Sequence, residues 1–349
     1  MPAGPCAGVA RPLPHMARDG GPLWYIAKCT ARLARDTVPG LAMLRLFSRR
    51  PITRIGLTPP APTPDRAGVA VVLIVRDEER HIGEWAGFHR DAGAAHFVVY
   101  DNGCRDATIP RLTRALGEKL TVIPWHQRLT DAGTGREIHN QVLAYAHAMR
   151  NFGGRFRWMA CIDADEFLVP KRATSLDAAL AHLGDIPSVT LPWHNFGRCG
   201  HVDPPEGGIV ANFTRRAADP MSGARGVTNF KTLVDATRVT ALKVHSVEID
   251  GQGVTWNDRG ERTTLKGRFE RGFYSADHLQ LNHYYARSEA ELAAKIARGS
   301  NQRVEAARHA ARVRRNVANI EANEVEDRVA PDFLDRLRGR PSPVVSCDL

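Results

Sequence analysis

Apolar positions along this chain fall into short continuous runs that alternate with helix-spaced stripes. The run VAVVLIV, residues 69–75, predicts a strand that is covered on both faces. The next segment, EERHIGEWAGFHRDAG, places Trp85 and His89 on one apolar helical stripe and ends at Gly93. We therefore expect a helix in which His89 is a structural core residue.

The same alternation continues to about residue 170. Further strands are predicted at 95–101 (AHFVVYD), 119–125 (KLTVIPW) and 156–163 (FRWMACID). Helices are predicted at 107–117, with Asp106 as N-cap, and at 135–152. Strands that alternate with helices are typical of an α/β fold with a mostly parallel, Rossmann-like sheet and helices on both faces.

The pattern is looser beyond Pro170. Short strands are predicted at 188–193 (SVTLPW), 208–213 (GIVANF) and 231–236 (KTLVDA). Two Ala/Arg-rich helices follow, from about Ser288 to Ile320. A Pro-rich spacer sets the first domain boundary. We predict three regions, which are a basic, Pro-rich and partly disordered arm (1–66), an α/β domain (67–300) and a C-terminal helical extension with a tail (301–349).

The formal net charge of +10 is concentrated in the arm. Residues 1–66 hold 10 Lys and Arg against 3 Asp and Glu, whereas residues 67–283 hold 26 against 25. A nucleic-acid-binding domain needs a basic face on its folded body, so we exclude nucleic acid as a partner. The arm contains a helix-like basic stretch, 24–50, that packs on the body, is a poorly ordered basic tail, or lies on an anionic membrane surface.

Cysteine usage and hydropathy predict the compartment. The six cysteines are scattered, without a C-x-x-C pair, as in proteins of a reducing cytoplasm. No apolar run approaches the ~20 residues of a membrane span, and the start lacks the apolar core of a signal peptide. We expect a cytoplasmic protein, with peripheral contact at the inner face of the membrane as the alternative for the arm.

Acidic residues follow three of the predicted strands. Because ligands bind beyond the carboxyl ends of the strands in an open parallel sheet, these residues predict one site. If Asp163 and Asp165 extend the strand, they project from the same face and can hold one Mg²⁺ or Mn²⁺ ion. The alternative is that each acid caps its own turn. The acidic segments are Arg76-Asp77-Glu78, Asp101-Asn102-Gly103 and Asp163-Ala164-Asp165-Glu166.

Two common nucleotide-binding motifs are missing from the sequence. There is no G-x-x-x-x-G-K-[ST] and no G-x-G-x-x-G after the first strand, which argues against a P-loop nucleotidase and a dinucleotide oxidoreductase. An acidic first turn suits hydrogen bonds to the ribose and base of a nucleotide, with the phosphates left to a metal ion.

Several blocks in order resemble a glycosyltransferase of GT-A fold, and more narrowly the family 2-like proteins related to glycosyltransferase family 92. They extend from about residue 69 to 300. The resemblance implies the GT-A arrangement of a mostly parallel central sheet flanked by helices, followed by C-terminal helices. The blocks are VVLIVRDEERHIGEWAGFHRDAGAAHFVVYDNGCRDAT, FRWMACIDADEFLVP, LPWHNFGRCGH, NFKTLVDA and LNHYYARSEAELAAKIARG.

The resemblance also implies a nucleotide-sugar donor, with UDP-sugars favoured, and transfer with inversion at the anomeric carbon. Asp163 and Asp165 match the family's D-x-D motif for Mn²⁺ or Mg²⁺. His283 matches a late histidine that is a third metal ligand or a diphosphate contact. The sequence departs from the family at Asp77, where Asn is usual, and at Cys104. The candidate donor-binding residues are Arg76, Asp77, Glu78, Asp101, Asn102, Asp163 and Lys231, of which Lys231 either meets the diphosphate or covers apolar surface with its stem.

Inverting transfer needs a carboxylate base that deprotonates the acceptor hydroxyl. The candidates are Asp203 and Glu206, in a loop where we expect a glycan, glycolipid or polysaccharide acceptor to enter, and Glu166, just after the D-x-D motif. Two other functions stay open. One is a nucleotidyl or phosphoryl transferase on the same fold, and the other is a catalytically silent carbohydrate-binding protein.

Overall fold

The computed structural model describes residues 50–299 and 305–339. Most of the predicted arm, with its proposed membrane contact, and the end of the tail lie outside the described residues. The strands are β1 (Ile55–Gly56), β2 (Val69–Val75), β3 (His96–Asp101), β4 (Leu120–Pro124), β5 (Trp158–Cys161), β6 (Glu166–Pro170), β7 (Ser188–Asn195), β8 (Arg215–Ala217), β9 (Phe230–Val234), β10 (Val239–Lys243), β11 (Ser246–Ile249), β12 (Val254–Trp256), β13 (Arg262–Thr264), β14 (Leu279–His283) and β15 (Glu324–Glu326).

Helices pack on both faces of the central sheet. None of those within the described residues is long and apolar enough to cross a bilayer. They are α1 (Glu79–Asp91), α2 (Thr108–Leu116), α3 (Asn140–Phe152), α4 (Leu176–Leu180), α5 (Ile209–Asn212), α6 (Glu289–Arg298), α7 (Ala306–Glu321) and α8 (Val329–Leu337).

The central sheet has eight strands in the order β4-β3-β2-β5-β9-β7-β14-β6. The first four are mutually parallel, and β7 is parallel to β14. Strand β9 is antiparallel to both its neighbours, and β6 is antiparallel to β14. The predicted α/β fold with a mostly parallel sheet is thus confirmed, and the carboxyl ends of β2, β3, β5, β7 and β14 lie along one edge.

Alternating residues of the strands build two apolar cores, one on each face of the sheet. On β2, Val71 and Leu73 belong to the core that contains Trp85 of α1. Ala70 and Val72 face the core that contains α3 and the β10-β11 hairpin. This two-sided burial explains why β2 is an uninterrupted apolar run.

Two predicted elements are different in the structure. Segment 208–213, predicted as a strand, contains the short helix α5, because the N–H groups of Ile209 and Val210 donate to the Glu84 carboxylate at 2.5 and 3.1 Å. A carboxylate that accepts from free N–H groups is a normal way to start a helix. The helix predicted from residue 135 starts at Asn140, because Glu137 pairs with Thr130 in an antiparallel bridge.

Residues 50–66, which the sequence assigns to the arm, pack on the α/β domain. Strand β1 pairs with β10, and the Arg66 guanidinium forms two hydrogen bonds with the Asp235 carboxylate at 2.6 and 2.7 Å. The backbone at Ala61 approaches Gly154 so closely that a Cβ there would lie 2.3 Å from the Ala61 carbonyl oxygen. The described body therefore begins at Arg50.

His89 is fully buried in the core, and its hydrogen bonds fix its charge. Its Nδ1 donates to the Trp85 carbonyl at 2.9 Å, and its Nε2 accepts from the Leu168 N–H at 3.2 Å. If Nε2 were protonated, its N–H would face the Leu168 N–H, and neither group could accept the hydrogen bond. Burial lowers the pKa of His89 to about 4, although the bond to Trp85 opposes this change.

We predict that this histidine destabilises the protein in mild acid. The unfolded chain binds a proton at His89 below about pH 6.5, whereas the folded chain does so only near pH 4. The free energy of unfolding should fall by about 2 kcal/mol between pH 6.5 and pH 5 from this group alone. Denaturant unfolding across this range measures the slope. H89Q should flatten it and H126N, at an exposed histidine, should not; equal slopes in H89Q and the original protein would contradict the prediction.

Candidate functional site

The structure collects the predicted acids at the carboxyl edge of the parallel strands. Asp77 and Glu78 follow β2, Asp101 ends β3, and the D-x-D motif follows β5. The paired register of β2 with β3 and β5 aligns these strand ends side by side. This edge is the candidate site.

The D-x-D motif lies in a turn, which corrects the expectation that it extends the strand. Strand β5 ends at Cys161, and the Glu166 N–H donates to the Asp163 carbonyl at 3.1 Å to close the turn. The turn is needed because the next strand, β6, starts at Glu166 and is the edge strand beside β14. Asp163 and Asp165 therefore contact different partners.

Asp163, whose side chain is 33% exposed, joins a network of charges with the buried residues Lys231 and Glu166. One carboxylate oxygen accepts from Gln141 Nε2 at 2.8 Å, and the other accepts from Lys231 Nζ at 2.9 Å. Tyr145 OH lies 3.4 Å from the first oxygen. Lys231 is only 1% exposed and also lies 3.4 Å from Glu166 Oε2. Its ammonium thus bridges two carboxylates.

Burial works against the charge on Lys231, but Asp163 and Glu166 outweigh it and raise the pKa of Lys231 well above its usual value. Glu166 is completely buried and accepts from the Asp163 N–H at 2.7 Å and from Trp193 Nε1 at 2.6 Å. Burial, and then the negative charges of Asp163 and Asp165, raise the pKa of Glu166 to about 8, although Lys231 opposes this. Through these contacts Glu166 braces the turn and the Trp193 side chain.

Asp165 faces His283 from the end of β14. Its Oδ1 lies 3.6 Å from His283 Nε2, and its Oδ2 accepts from Lys295 Nζ at 3.2 Å. Burial opposes ionisation, yet the Lys295 ammonium holds the pKa of Asp165 well below its usual value.

The tautomer of His283 follows from its other nitrogen. The Asn195 amide nitrogen donates to the Val227 carbonyl at 2.6 Å, so Asn195 Oδ1 is the acceptor for His283 Nδ1 at 2.7 Å. Nδ1 therefore carries a proton, and in the neutral imidazole Nε2 has a lone pair. Burial lowers the pKa of His283, which favours this neutral form, although the Asp165 carboxylate opposes the change.

Asp165 and His283 fit a divalent cation. A carboxylate oxygen and an imidazole lone pair face each other without a hydrogen atom to share, and a cation satisfies both. An imidazole whose second nitrogen is fixed by a neighbouring oxygen is the usual form of a histidine ligand. Asp163, the third predicted ligand, directs its oxygens to Gln141 and Lys231 instead.

Another group with ligand atoms within 4.8 Å of one another is Asp77, Cys104 and Asp106. Burial raises the pKa of the Cys104 thiol to about 12, so without a metal ion this thiol is protonated. Asp106 accepts from the N–H groups of Glu79 and Thr108 at 3.0 and 2.9 Å, at the first turns of α1 and α2. We interpret this group as helix capping, although the N-cap of α2 is Ala107, one residue after the predicted Asp106.

The predicted nucleoside contacts lie nearby. Asp101 Oδ1 accepts from the N–H groups of Gly103 and Cys104, and Asn140 donates to Asn102 Oδ1 at 3.1 Å. Asp77 Oδ2 lies 3.5 Å from the exposed Arg76 guanidinium.

Glu78 is held by two arginines of the C-terminal part of the chain. Arg287 Nη1 lies 3.2 Å from one oxygen, and Arg298 Nη1 lies 3.0 Å from the other. Two guanidinium groups thus cover this part of the acidic edge.

The loop after β7 carries two of the three candidate bases. Asp203 and Glu206 are exposed, and the loop is attached to α6 by the bond from the Ala290 N–H to the Val202 carbonyl at 3.0 Å. Trp193 packs between the rings of His245 and His283, with centroids at 5.4 and 4.2 Å. His194 projects from the opposite face of β7, where its Nε2 contacts Tyr274 OH, and Phe196 is buried beside Tyr284.

Sequence reasoning missed most partners of the predicted site residues. Gln141 and Tyr145 sit one turn apart on α3, and Lys295 lies on α6, about 130 residues from the D-x-D motif. The signals were weak, because Gln and Tyr at helical spacing are common and the basic residues looked like a solvated helix face. The S-x-x-E spacing at Ser288 and Glu291 does predict the start of α6, and the structure has this capping box.

A sequence model of glycosyltransferase family 92 matches residues 72–304. Two curated relatives are both described as glycosyltransferase family 92 proteins. The one from Oryza sativa subsp. japonica is 24% identical over 200 residues, which are 53% of this chain and 32% of the relative. The one from Ricinus communis is 21% identical over 160 residues, 44% of this chain and 27% of the relative. The chain thus spans a third or less of the length of these relatives.

Solved structures give weaker similarities. A mannosyltransferase from Pyrobaculum calidifontis, in complex with GDP-Man and Mn²⁺, has a TM-score of 0.27 and 19% identity and covers 44% of this chain and 41% of its own. A mycobacterial protein has a TM-score of 0.30 and 16% identity over 79% of this chain and 76% of its own. At such TM-scores these similarities carry no argument about fold or function.

Proposed function

Because this chain belongs to glycosyltransferase family 92, we propose that it transfers a sugar from a nucleotide-sugar donor to a hydroxyl group of a glycan or lipid-linked acceptor, with Mn²⁺ or Mg²⁺ as cofactor. The observation that carries this proposal is the pairing of Asp165 Oδ1 with the unprotonated Nε2 of His283, at 3.6 Å, on the carboxyl edge of the sheet.

In this proposal Asp165 and His283 hold the cation. When bound, the cation supplies positive charge that stabilises the leaving nucleoside diphosphate. Asn195 keeps the His283 lone pair directed at Asp165. Lys231 holds the Asp163 carboxylate in one orientation, which leaves the turn rigid next to the metal position.

The nucleoside is proposed to lie along the acidic ends of β2 and β3. Glu78 and Asp101 are hydrogen-bond acceptors of the kind that ribose hydroxyls require, and Asp101 is already fixed by two N–H groups of its own turn. UDP-sugars remain our first choice of donor.

The acceptor base is proposed to come from Asp203 or Glu206, which would deprotonate the hydroxyl as it attacks the anomeric carbon from the face opposite the leaving diphosphate, so that the configuration is inverted. Both are exposed, whereas Glu166 has no exposed surface and already accepts two N–H donors. These differences support the loop acids over Glu166 as the base.

The test is a thermal-shift panel of UDP-, GDP- and CMP-sugars with Mn²⁺ or with EDTA. We expect one nucleotide class to raise the melting temperature by about 5 °C or more at saturating ligand, and only with Mn²⁺, since a ligand that binds the folded state stabilises it. Equal stabilisation in EDTA would refute the metal requirement. No response to any sugar nucleotide would contradict the proposed donor, and release of sugar 1-phosphate instead of nucleoside diphosphate from a UDP- or GDP-sugar would favour a nucleotidyl transferase.

A further inference from the structure

Basic side chains from one segment, 284–298, cover the acids at the strand ends. Arg287 and Arg298 contact the two oxygens of Glu78, and Lys295 contacts Asp165. The segment includes α6 and the residues that lead into it. Each of these basic side chains lies where the proposed ligands, a divalent metal ion and a diphosphate, would approach the sheet edge.

Helix α6 is fixed at its start, so Lys295 is held at this edge. Ser288 and Glu291 form a capping box, and Glu291 also pairs with His81 of α1. Lys295 is one turn beyond Glu291 and reaches Asp165 from there. Its position therefore depends on contacts other than its own ion pair.

Lys295 differs from Lys231, the other lysine of the site, in its freedom to move. Lys231 is buried between two carboxylates, whereas the Lys295 side chain is 31% exposed. Lys295 Nζ also donates to the Tyr285 carbonyl at 3.0 Å and lies 4.0 Å from the centre of the Tyr285 ring. If it leaves Asp165, the ammonium keeps these contacts and access to water.

The two carboxylate oxygens of Asp165 face different groups. Its Oδ2 contacts the Lys295 ammonium, and its Oδ1 faces the His283 lone pair. A divalent cation at Oδ1 and Nε2 would place two positive charges beside the ammonium, and like charges so close repel each other. A diphosphate brought to the same place would attract the ammonium.

We propose that Lys295 competes with the divalent cation for Asp165 and contacts the diphosphate of the nucleotide once the cation is bound. This inference rests on the proposed function. Lys295 then couples the two ligands, so that the cation alone binds weakly and cation and nucleotide strengthen each other's binding. Such coupling is reciprocal and commonly amounts to about 5–150-fold in affinity.

The experiment measures the affinity for Mn²⁺ alone, from the electron paramagnetic resonance signal of free Mn²⁺, and the affinities for UDP and GDP by calorimetry at saturating Mn²⁺. We expect K295M to bind Mn²⁺ alone about 10-fold more tightly and to bind the preferred nucleoside diphosphate about 10-fold more weakly, within the usual range of such coupling. K295R, which keeps the charge, should retain part of the nucleotide affinity.

R298Q is the matched control. It removes one positive charge from the same helix, but Arg298 contacts Glu78 and not Asp165. Its affinity for Mn²⁺ alone should stay within about twofold of the original, because more distant exposed charges are screened by salt. A similar gain in K295M and R298Q would mean a general field effect and would overturn the proposed competition.

Two other results would also overturn it. If K295M binds Mn²⁺ more weakly than the original protein, Lys295 orients Asp165, and if the affinity is unchanged, Lys295 does not affect Asp165. In either case, Mn²⁺-dependent nucleotide binding by the original protein would still support the proposed function. If the original protein shows no Mn²⁺-dependent binding of UDP or GDP, the inference fails together with the proposed metal-dependent function.

Discussion

Replacement of Lys231 with Met is expected to lower the free energy of unfolding by about 1.5–3 kcal/mol at pH 7, because Asp163 loses a charge-assisted hydrogen bond while Glu166, whose pKa is raised to about 8, can stay protonated. The ammonium contacts Asp163 and Glu166, and Glu166 has no exposed surface through which water could replace it. The Met side chain has a similar length, so loss of packing contributes little. Denaturant unfolding at pH 7 measures the change.

The control for this variant is K243M. Lys243 is exposed on β10, and its replacement should change stability by no more than about 0.5 kcal/mol. K231M/D163N should recover part of the loss, since it removes the carboxylate charge that Lys231 compensates while the amide oxygen still accepts from Gln141. A cost below 1 kcal/mol in K231M would show that the Lys231 ammonium contributes little to the stability of this network.

The parallel half of the sheet could be predicted because burial on both faces leaves a direct mark on the sequence. Strand β2 is an unbroken apolar run, and α1 between it and β3 has a clear helical stripe. Beyond β5 the strands are β9, β7, β14 and β6, of mixed direction, and the sequence carries no comparable mark for their order. Strand pairing there joins residues more than 100 apart, such as Phe167 and Asn282.

The acidic residues of the candidate site could be predicted from the sequence, but the basic residues that compensate their charges could not. Asp163 and Asp165 stand out because carboxylates next to an apolar strand need compensation. The compensating groups come from other parts of the chain, Lys231 on β9 and Lys295 on α6, and no local pattern connects them to the motif. The different partners of the two carboxylates, which set Asp163 apart from Asp165, are visible only in three dimensions.

The same reasoning separates the roles of the two aspartates. Asp163 is bound to a lysine that cannot move away, so its orientation is fixed whether or not a ligand is present. Asp165 is bound to Lys295, which has a second acceptor in the Tyr285 carbonyl, and its other oxygen faces Nε2 of His283. Substitution at Asp165 should therefore affect ligand binding more than folding.

The D165N variant is expected to lose turnover by about 10³-fold or more, because loss of a metal ligand removes several kcal/mol of charge stabilisation and each ~1.4 kcal/mol corresponds to a tenfold change in rate. Stability should fall by no more than about 2 kcal/mol, since Lys295 keeps its contact with the Tyr285 carbonyl. The measurement is release of nucleoside diphosphate from the donor that the thermal-shift panel selects. D165N should also lose the Mn²⁺-dependent thermal shift.

Controls separate this loss from other causes. D250N changes an exposed aspartate that pairs with Arg238, away from the site, and should leave turnover unchanged. D203N and E206Q test the proposed base, for which the expected result is lost turnover in one of them with the Mn²⁺-dependent donor shift intact. Turnover of D165N within tenfold of the original would contradict the assignment of Asp165 as a metal ligand. Retention of the donor shift with lost turnover would instead move Asp165 from donor binding to the chemical step, because the two measurements respond to different contacts of the same carboxylate.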